Sequence, residues 1–315
     1  MKIINEIDNF TPKYKSIITI GTFDGVHKGH RKILTKLVNE SKKSNLISIV
    51  LTFFPHPRTV LNPQNPLKLI NTLSERTYHF KNSGIDVLIT HPFDKKFSEL
   101  TAEEYVTEIL IKKLNVKKIL IGYDHRFGYK RTAGIKDLKK LGLKYEFDVT
   151  EISVEELNNV SISSTKIRNA INKGNIEIAK LLLGYDYTIQ GTVIDGDKIG
   201  RTLGFPTANL EIKEDYKLLP KNGVYLIYTF MEDQVFYGMM NIGIKPTVKS
   251  TKQTIEVNLF DWEKDIYGKS VQVFVLKFIR DEKKFNSLDK LKNQIKIDKK
   301  TCFEYIKKSN INLHL

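Results

Sequence analysis

Two histidines three residues apart, set among glycines, mark the first place in this chain where chemistry could be done. The run Gly21-Thr22-Phe23-Asp24-Gly25-Val26-His27-Lys28-Gly29-His30-Arg31 follows an apolar, β-rich stretch, Ile17 to Ile20. It precedes a pattern in which Ile33, Leu34, Leu37 and Val38 share one helical face. It therefore reads as a strand-to-helix turn, with the helix starting near His30. Gly21, Gly25 and Gly29 let backbone approach a ligand closely. The unpaired N–H groups and positive dipole end of such a helix suit phosphate. His27 and His30 can donate to phosphate oxygens from the same side. The spacing fits neither G-x-G-x-x-G nor G-x-x-x-x-G-K-[ST].

Five further sets of residues could take part in phosphate chemistry. Ser161 to Arg168 puts a hydroxyl cap, an ammonium and a guanidinium on the first turn of a predicted helix. That is either a triphosphate anchor or an ordinary capped surface helix. Pro55-His56-Pro57-Arg58 presents a His and an Arg beyond the apolar run Leu46 to Phe54, as a site or as punctuation. Gly122 to Gly128 follows another apolar run, and there Asp124 either accepts from a ribose or adenine donor or only caps the turn. Later, Gly196, Gly200 and Gly204 surround Lys198 and Arg201, a pattern suited to a mobile basic flap over phosphate. Thr207 and Asn209 follow, and on extended backbone they face one side. Their oxygens suit Mg²⁺, but taken alone the residues read first as a turn held by structural hydrogen bonds.

The elements that must position these residues change character along the chain. In the first half, buried strands at Leu46–Phe54, Asp86–Thr90 and Lys117–Gly122 alternate with helices at Ser74–Ser83 and Ala102–Leu114, for which Ser74 and Thr101 are good N-caps. This β-α alternation predicts an α/β, doubly wound sheet. Helices ending at Gly174 and Gly184 follow. Beyond them, short alternating runs at 187–193, 223–230, 236–242, 254–259 and 271–279 predict a small antiparallel barrel, closed by helices at Ser287–Ile295 and Thr301–Lys308. The run Gly191–Leu210 reads as a loop. The predicted division is 1–185 and 186–315.

The bulk properties exclude several classes. The formal net charge is +15, from 51 basic and 36 acidic residues. The excess is mostly Lys scattered along a Lys-, Asn- and Ile-rich chain, so a solvated surface is expected rather than a nucleic-acid partner. The single cysteine, Cys302, cannot form an internal disulfide and fits a reducing cytoplasm. No secretory signal is expected, since Met1 to Phe10 lacks a basic start followed by an apolar core, and the longest apolar stretch is too short to span a bilayer.

Several motifs resemble those of known enzymes. His27-Lys28-Gly29-His30 resembles the H-x-G-H signature of the nucleotidylyltransferase superfamily. Ile162 to Arg168 resembles the I-S-S-T-x-I-R element that the superfamily uses with it on one ATP. Phe53 to Pro57 is similar to an F-x-P-H-P loop of FAD synthetases. Gly122 to Gly134 is similar to their G-x-[DN]-F-x-F-G-x-x-R-x-G loop, departing at His125. Gly196 to Asn209 resembles the G-D-x-x-G-R-x-L-G-F-P-T-A-N signature of riboflavin kinases almost letter for letter. Thr254 to Trp262 resembles the strand carrying their catalytic Glu, with Asn258 where His is usual and Trp262 where Phe is usual.

The chain as a whole thus resembles the prokaryotic bifunctional riboflavin kinase/FAD synthetase family. The resemblance implies a Rossmann-like N-terminal domain that adenylylates FMN and a C-terminal barrel that phosphorylates riboflavin. In the barrel, Glu256 would be the general base, Thr207 and Asn209 would hold Mg²⁺, and Gly196, Lys198, Gly200 and Arg201 would cover the ATP phosphates. In the first domain, His27, His30 and Arg168 would stabilise charge on the phosphates. Gly21, Thr22, Phe23, Asp24, Gly29, Asp124, Ser164 and Thr165 would contact ATP. Pro55, His56 and Arg280 would contact flavin. The implied partners are riboflavin, FMN, FAD, ATP and pyrophosphate.

Overall fold

The strand that leads into the first histidine turn lies inside a parallel sheet. The computed structural model describes residues 1–122, 125–153, 162–195, 204–246 and 251–309. These residues divide between two compact units, Met1–Ser164 and Thr165–Leu315.

The first unit holds six strands: β1 (Lys2–Ile4), β2 (Ser16–Ile20), β3 (Ile47–Phe53), β4 (Val87–His91), β5 (Val116–Gly122) and β6 (Asp148–Ile152). They lie in the order β1-β4-β3-β2-β5-β6, all parallel. The chain leaves β2 to build one side through β3 and β4, then returns to build the other through β5 and β6. The carboxyl end of β2 is therefore the switch point at which such sheets bind ligands. Alternation along the strands feeds two cores. Ile18, Ile20, Ile49, Leu51, Ile119 and Ile121 pack into one. Ile17, Val50, Leu88 and Leu120 pack into the other with Ile33, Leu34, Leu37 and Val38 of helix Lys28–Ser44.

The second unit is a closed antiparallel barrel of β7 (Tyr187–Ile194), β8 (Ala208–Glu211), β9 (Gly223–Met231), β10 (Gln234–Pro246), β11 (Thr251–Leu259) and β12 (Ser270–Arg280). The order is β10-β11-β8-β7-β12-β9. Helix Leu288–Lys308 follows, and its Cys302 is buried with Val224, Leu226, Tyr228, Met239, Phe260 and Leu276.

Several expectations are corrected. The first helix begins at Lys28, because His27 caps it. The helix Leu73–Asn82 is capped by Thr72 in a capping box with Glu75, and Ser74 lies inside it. Thr101 does cap its helix, which runs as a π-helix over Tyr105–Lys113. Strands β1 and β6 were not predicted; one is three residues long, and three of the five residues of the other are the polar Asp148, Thr150 and Glu151. The run Gly191–Leu210 contains a strand, β8, and the two terminal helices are one, Leu288–Lys308.

Candidate active sites

The turn after β2 is tightly constrained. The Gly21 N–H donates to the Leu51 carbonyl at 3.1 Å, prolonging the pairing with β3. Phe23 has φ 48°, Gly25 φ 88° and Val26 φ 30°. Positive φ at a β-branched residue is an outlier, and such backbone persists only where the surroundings over-determine it. Here Val26 is fully buried, and the Phe23 ring packs edge-on against Phe80 and His30, with centroids 5.6 and 5.1 Å apart.

The histidines come together as the sequence anticipates. Their rings stack with centroids 3.6 Å apart and planes 16° from parallel. The His30 backbone N–H donates to Nδ1 of His27 at 3.3 Å. A side chain at Gly29 would place Cβ 3.3 Å from the His27 ring, so glycine leaves that ring its place. Burial, and then the Arg31 charge, push His27 down to about 4. Burial, and then His27, hold His30 well below the usual imidazole range. Both rings are therefore neutral near pH 7. Because Nδ1 of His27 accepts, its proton is on Nε2, a donor. Nδ1 of His30 is buried with no hydrogen-bond partner among the described residues. A neutral donor pair at a helix N-terminus fits a polyphosphate.

Ser164 joins this turn, since its hydroxyl donates to the Asp24 carbonyl at 2.8 Å. Ser164 is the last residue of the first unit and the first of helix Ser164–Asn172. Thr165, Lys166 and Arg168 continue that helix in the second unit. Asp24, expected to face ATP, is 1 % exposed, and its carboxylate accepts from the N–H groups of Ile70 at 2.9 Å and Asn71 at 3.4 Å. His56, expected to face flavin, uses Nδ1 to accept from the Arg58 N–H and so caps helix Pro57–Leu61; Pro55 beside it is exposed. His125 stacks on Phe127, centroids 6.0 Å apart, so an aromatic ring is kept where the resemblance departs. Asp124 lies outside the described residues, as do Gly196, Lys198, Gly200 and Arg201.

In the barrel, β8 pairs with β11 so that Asn209 stands opposite Glu256. Asn241 stands opposite Glu256 on the other side. Directly paired residues share a face of the sheet, so Asn209, Glu256 and Asn241 form one row, all half-buried. The alternate pairs Met240–Val257 and Ile242–Ile255 are buried on the opposite face. Thr207 directly precedes β8. Asn258, two residues beyond Glu256, donates its side-chain amide to the Pro206 carbonyl at 2.7 Å. Hydroxyl, amide and carboxylate oxygens gathered here make a hard donor set, which fits Mg²⁺ held jointly with substrate phosphates. Trp262 packs edge-on to Phe236 and donates to the Lys264 carbonyl. Arg280, expected at flavin, is committed to the terminal helix. Its Nε donates to both Asp298 oxygens at 2.9 and 3.0 Å, and its Nη2 donates to Oδ2 at 2.8 Å.

Two family models match the chain in tandem, FAD synthetase over residues 10–166 and riboflavin kinase over residues 183–306. A bifunctional riboflavin kinase/FMN adenylyltransferase of Buchnera aphidicola subsp. Acyrthosiphon pisum is 41 % identical over 302 residues, covering 95 % of this chain and 96 % of the relative. The chain belongs to the family of bifunctional riboflavin kinases/FMN adenylyltransferases. The family member from Escherichia coli K12 is 38 % identical over 308 residues, with 97 % and 98 % covered. That from Bacillus subtilis is 35 % identical, with 92 % of each chain covered. Among solved structures, one titled as a macrolide-efflux protein from Streptococcus pneumoniae matches with a TM-score of 0.86 and 34 % identity, covering 95 % of this chain and 97 % of that one. Among the described residues no helix is long and apolar enough to cross a membrane.

Arg76 went unnoticed in the sequence. It is 1 % exposed and donates through Nη1 to the Thr22 carbonyl at 2.7 Å. Its only sequence signal is a charged residue on the apolar face of a predicted helix.

Proposed function

We infer that this chain makes FAD from riboflavin in two ATP-dependent steps, with residues 1–185 carrying adenylyl transfer and 186–315 the kinase. The observation that carries this reading is the tandem match of both family models, each falling on a site of the appropriate chemistry. In the kinase step the 5′-hydroxyl of riboflavin attacks the γ-phosphate of ATP, giving FMN and ADP. Glu256 takes the hydroxyl proton. Asn209, opposite it, and Thr207 would hold Mg²⁺, which when bound would supply charge neutralisation on the phosphates. In the second step the FMN phosphate attacks the α-phosphate of another ATP, giving FAD and pyrophosphate. His27 and His30, neutral and preorganised, donate to the phosphates without a charge change of their own. The resemblance of Ile162–Arg168 to the I-S-S-T-x-I-R element supports a role for Thr165 and Arg168 in holding ATP phosphates. Gly21, Thr22, Phe23 and Gly29 shape the turn, and Asp24 braces it. The lone cysteine is consistent with a cytoplasmic enzyme.

The test is direct. Purified protein is incubated with riboflavin, ATP and Mg²⁺, and the flavins are separated by chromatography. FMN appears first and FAD follows. A reaction that leaves riboflavin unchanged defeats the kinase reading, and one that stops at FMN defeats the adenylyltransferase reading.

A further inference from the structure

The histidine turn is strained, and something behind it must hold it. Phe23, at φ 48°, lies between two anchored neighbours. On one side the Thr22 carbonyl accepts from Arg76 Nη1 at 2.7 Å and from the Thr52 hydroxyl at 3.3 Å. On the other, the Asp24 carboxylate accepts from the Ile70 and Asn71 N–H groups. All these contacts come from the entry to helix Leu73–Asn82 and from β3. The entry is itself stiffened, because Thr72 and Glu75 close a capping box and Glu75 also takes the Asn71 amide at 3.4 Å. Burying a guanidinium carries a large desolvation cost that its hydrogen bonds must offset. Arg76 is set wholly inside the unit with one arm of its rigid fork on the turn.

We propose that Arg76 is a positioning residue of the adenylyl-transfer site, fixing from behind the turn that receives the ATP phosphates. The proposal rests on the assignment of that turn to ATP. Arg76 touches no substrate: it holds the Thr22 carbonyl, so that Phe23, the His27–His30 stack and the helix N-terminus keep the geometry the phosphates need. Displacement of about 1 Å at such a site can cost two orders of magnitude in rate.

The full-length chain is assayed as Arg76→Met, Arg76→Lys and His30→Ala, with FMN adenylylation followed against ATP and against FMN, and riboflavin phosphorylation measured on the same preparations. For Arg76→Met we expect the KM for ATP to rise about fivefold or more and kcat/KM to fall about twentyfold or more. The KM for FMN and the kinase rate stay within about twofold, since neither depends on the turn. Arg76→Lys keeps the charge but not the fork and falls between. A merely structural role would lower the active fraction, reducing apparent kcat with the KM for ATP unchanged, and that result overturns the proposal. If the Met variant does not fold, the Lys variant decides by the same measure: a parental KM for ATP overturns it. His30→Ala separates the two readings. If it adenylylates at the parental rate, the assignment of the turn has failed. If it is silent while Arg76→Met keeps its KM for ATP, only the role of Arg76 has failed.

Discussion

At the scale of single residues, the histidine turn couples function to acid stability. His27 titrates near 4 in the fold, against about 6.5 in an unfolded chain. The unfolded state therefore binds more protons between those values, and stability rises with pH across that window. Conversely, stabilisation present above pH 6.5 is lost as pH falls toward 4, by about 3 kcal/mol for His27 alone. His30 acts in the same direction. Replacing His27 with Gln should flatten this part of the stability curve, read by urea unfolding of the first unit at several pH values. An unchanged slope would show that the buried imidazole is not its source. The two histidines and Ser164 were legible because they sit in local motifs. Arg76 was not, because its acceptor is a backbone carbonyl 54 residues earlier, and no spacing rule reaches that far. Asp24 was legible as a turn residue, but whether its carboxylate faces ligand or the Ile70 and Asn71 amides depends on a helix entry folded against it.

At the scale of elements, the C-terminal helix shows how a charge run misleads. Lys296-Ile297-Asp298-Lys299-Lys300 reads as a polar break between two helices. It is one helix, Leu288–Lys308, because Asp298 turns inward, 3 % exposed, onto Arg280 of β12, while Lys296 and Lys300 face outward and half-buried Lys299 lays its ammonium over the Phe260 ring, 5.0 Å from the centroid. Gln294, one turn earlier, adds a hydrogen bond to the same carboxylate at 2.9 Å. Removing one partner of a buried pair strands the other charge. Arg280→Leu is thus expected to lower the stability of the second unit by about 3 kcal/mol, the low end for such pairs. Denaturant titration against the parent checks this, and Arg280→Leu with Asp298→Leu should recover much of the loss. If the single variant is as stable as the parent, the pair does not hold the helix. The strand β8 was missed for a related reason. Its four residues follow a Gly- and Pro-rich run, so local composition says loop, and only pairing with β7 and β11 makes it a strand. That pairing is what sets Asn209 against Glu256.

At the scale of the whole molecule, the fold class and both activities could be read because motifs from two families follow one another along the chain. Among the described residues each half also carries hydrophobic core of its own: clusters on the two faces of the parallel sheet in the first, and in the second a cluster between barrel strands and the terminal helix. Each proposed step draws on its own base or donors and its own ATP, and the product of the kinase is the substrate of the adenylyltransferase. Damage to one step should therefore leave the other intact and be repairable by a second chain. Glu256→Gln is expected to lose conversion of riboflavin to FMN and to keep conversion of added FMN to FAD. His30→Ala is expected to accumulate FMN from riboflavin and make no FAD. Mixed in equal amounts with riboflavin, ATP and Mg²⁺, the two variants should make FAD after a lag during which FMN builds up, because FMN released by one chain is bound by the other. Chromatography of timed samples gives both the lag and the yield. If each variant keeps its single activity but the mixture makes no FAD, FMN does not pass through solution, and the two halves must instead act on it within one chain.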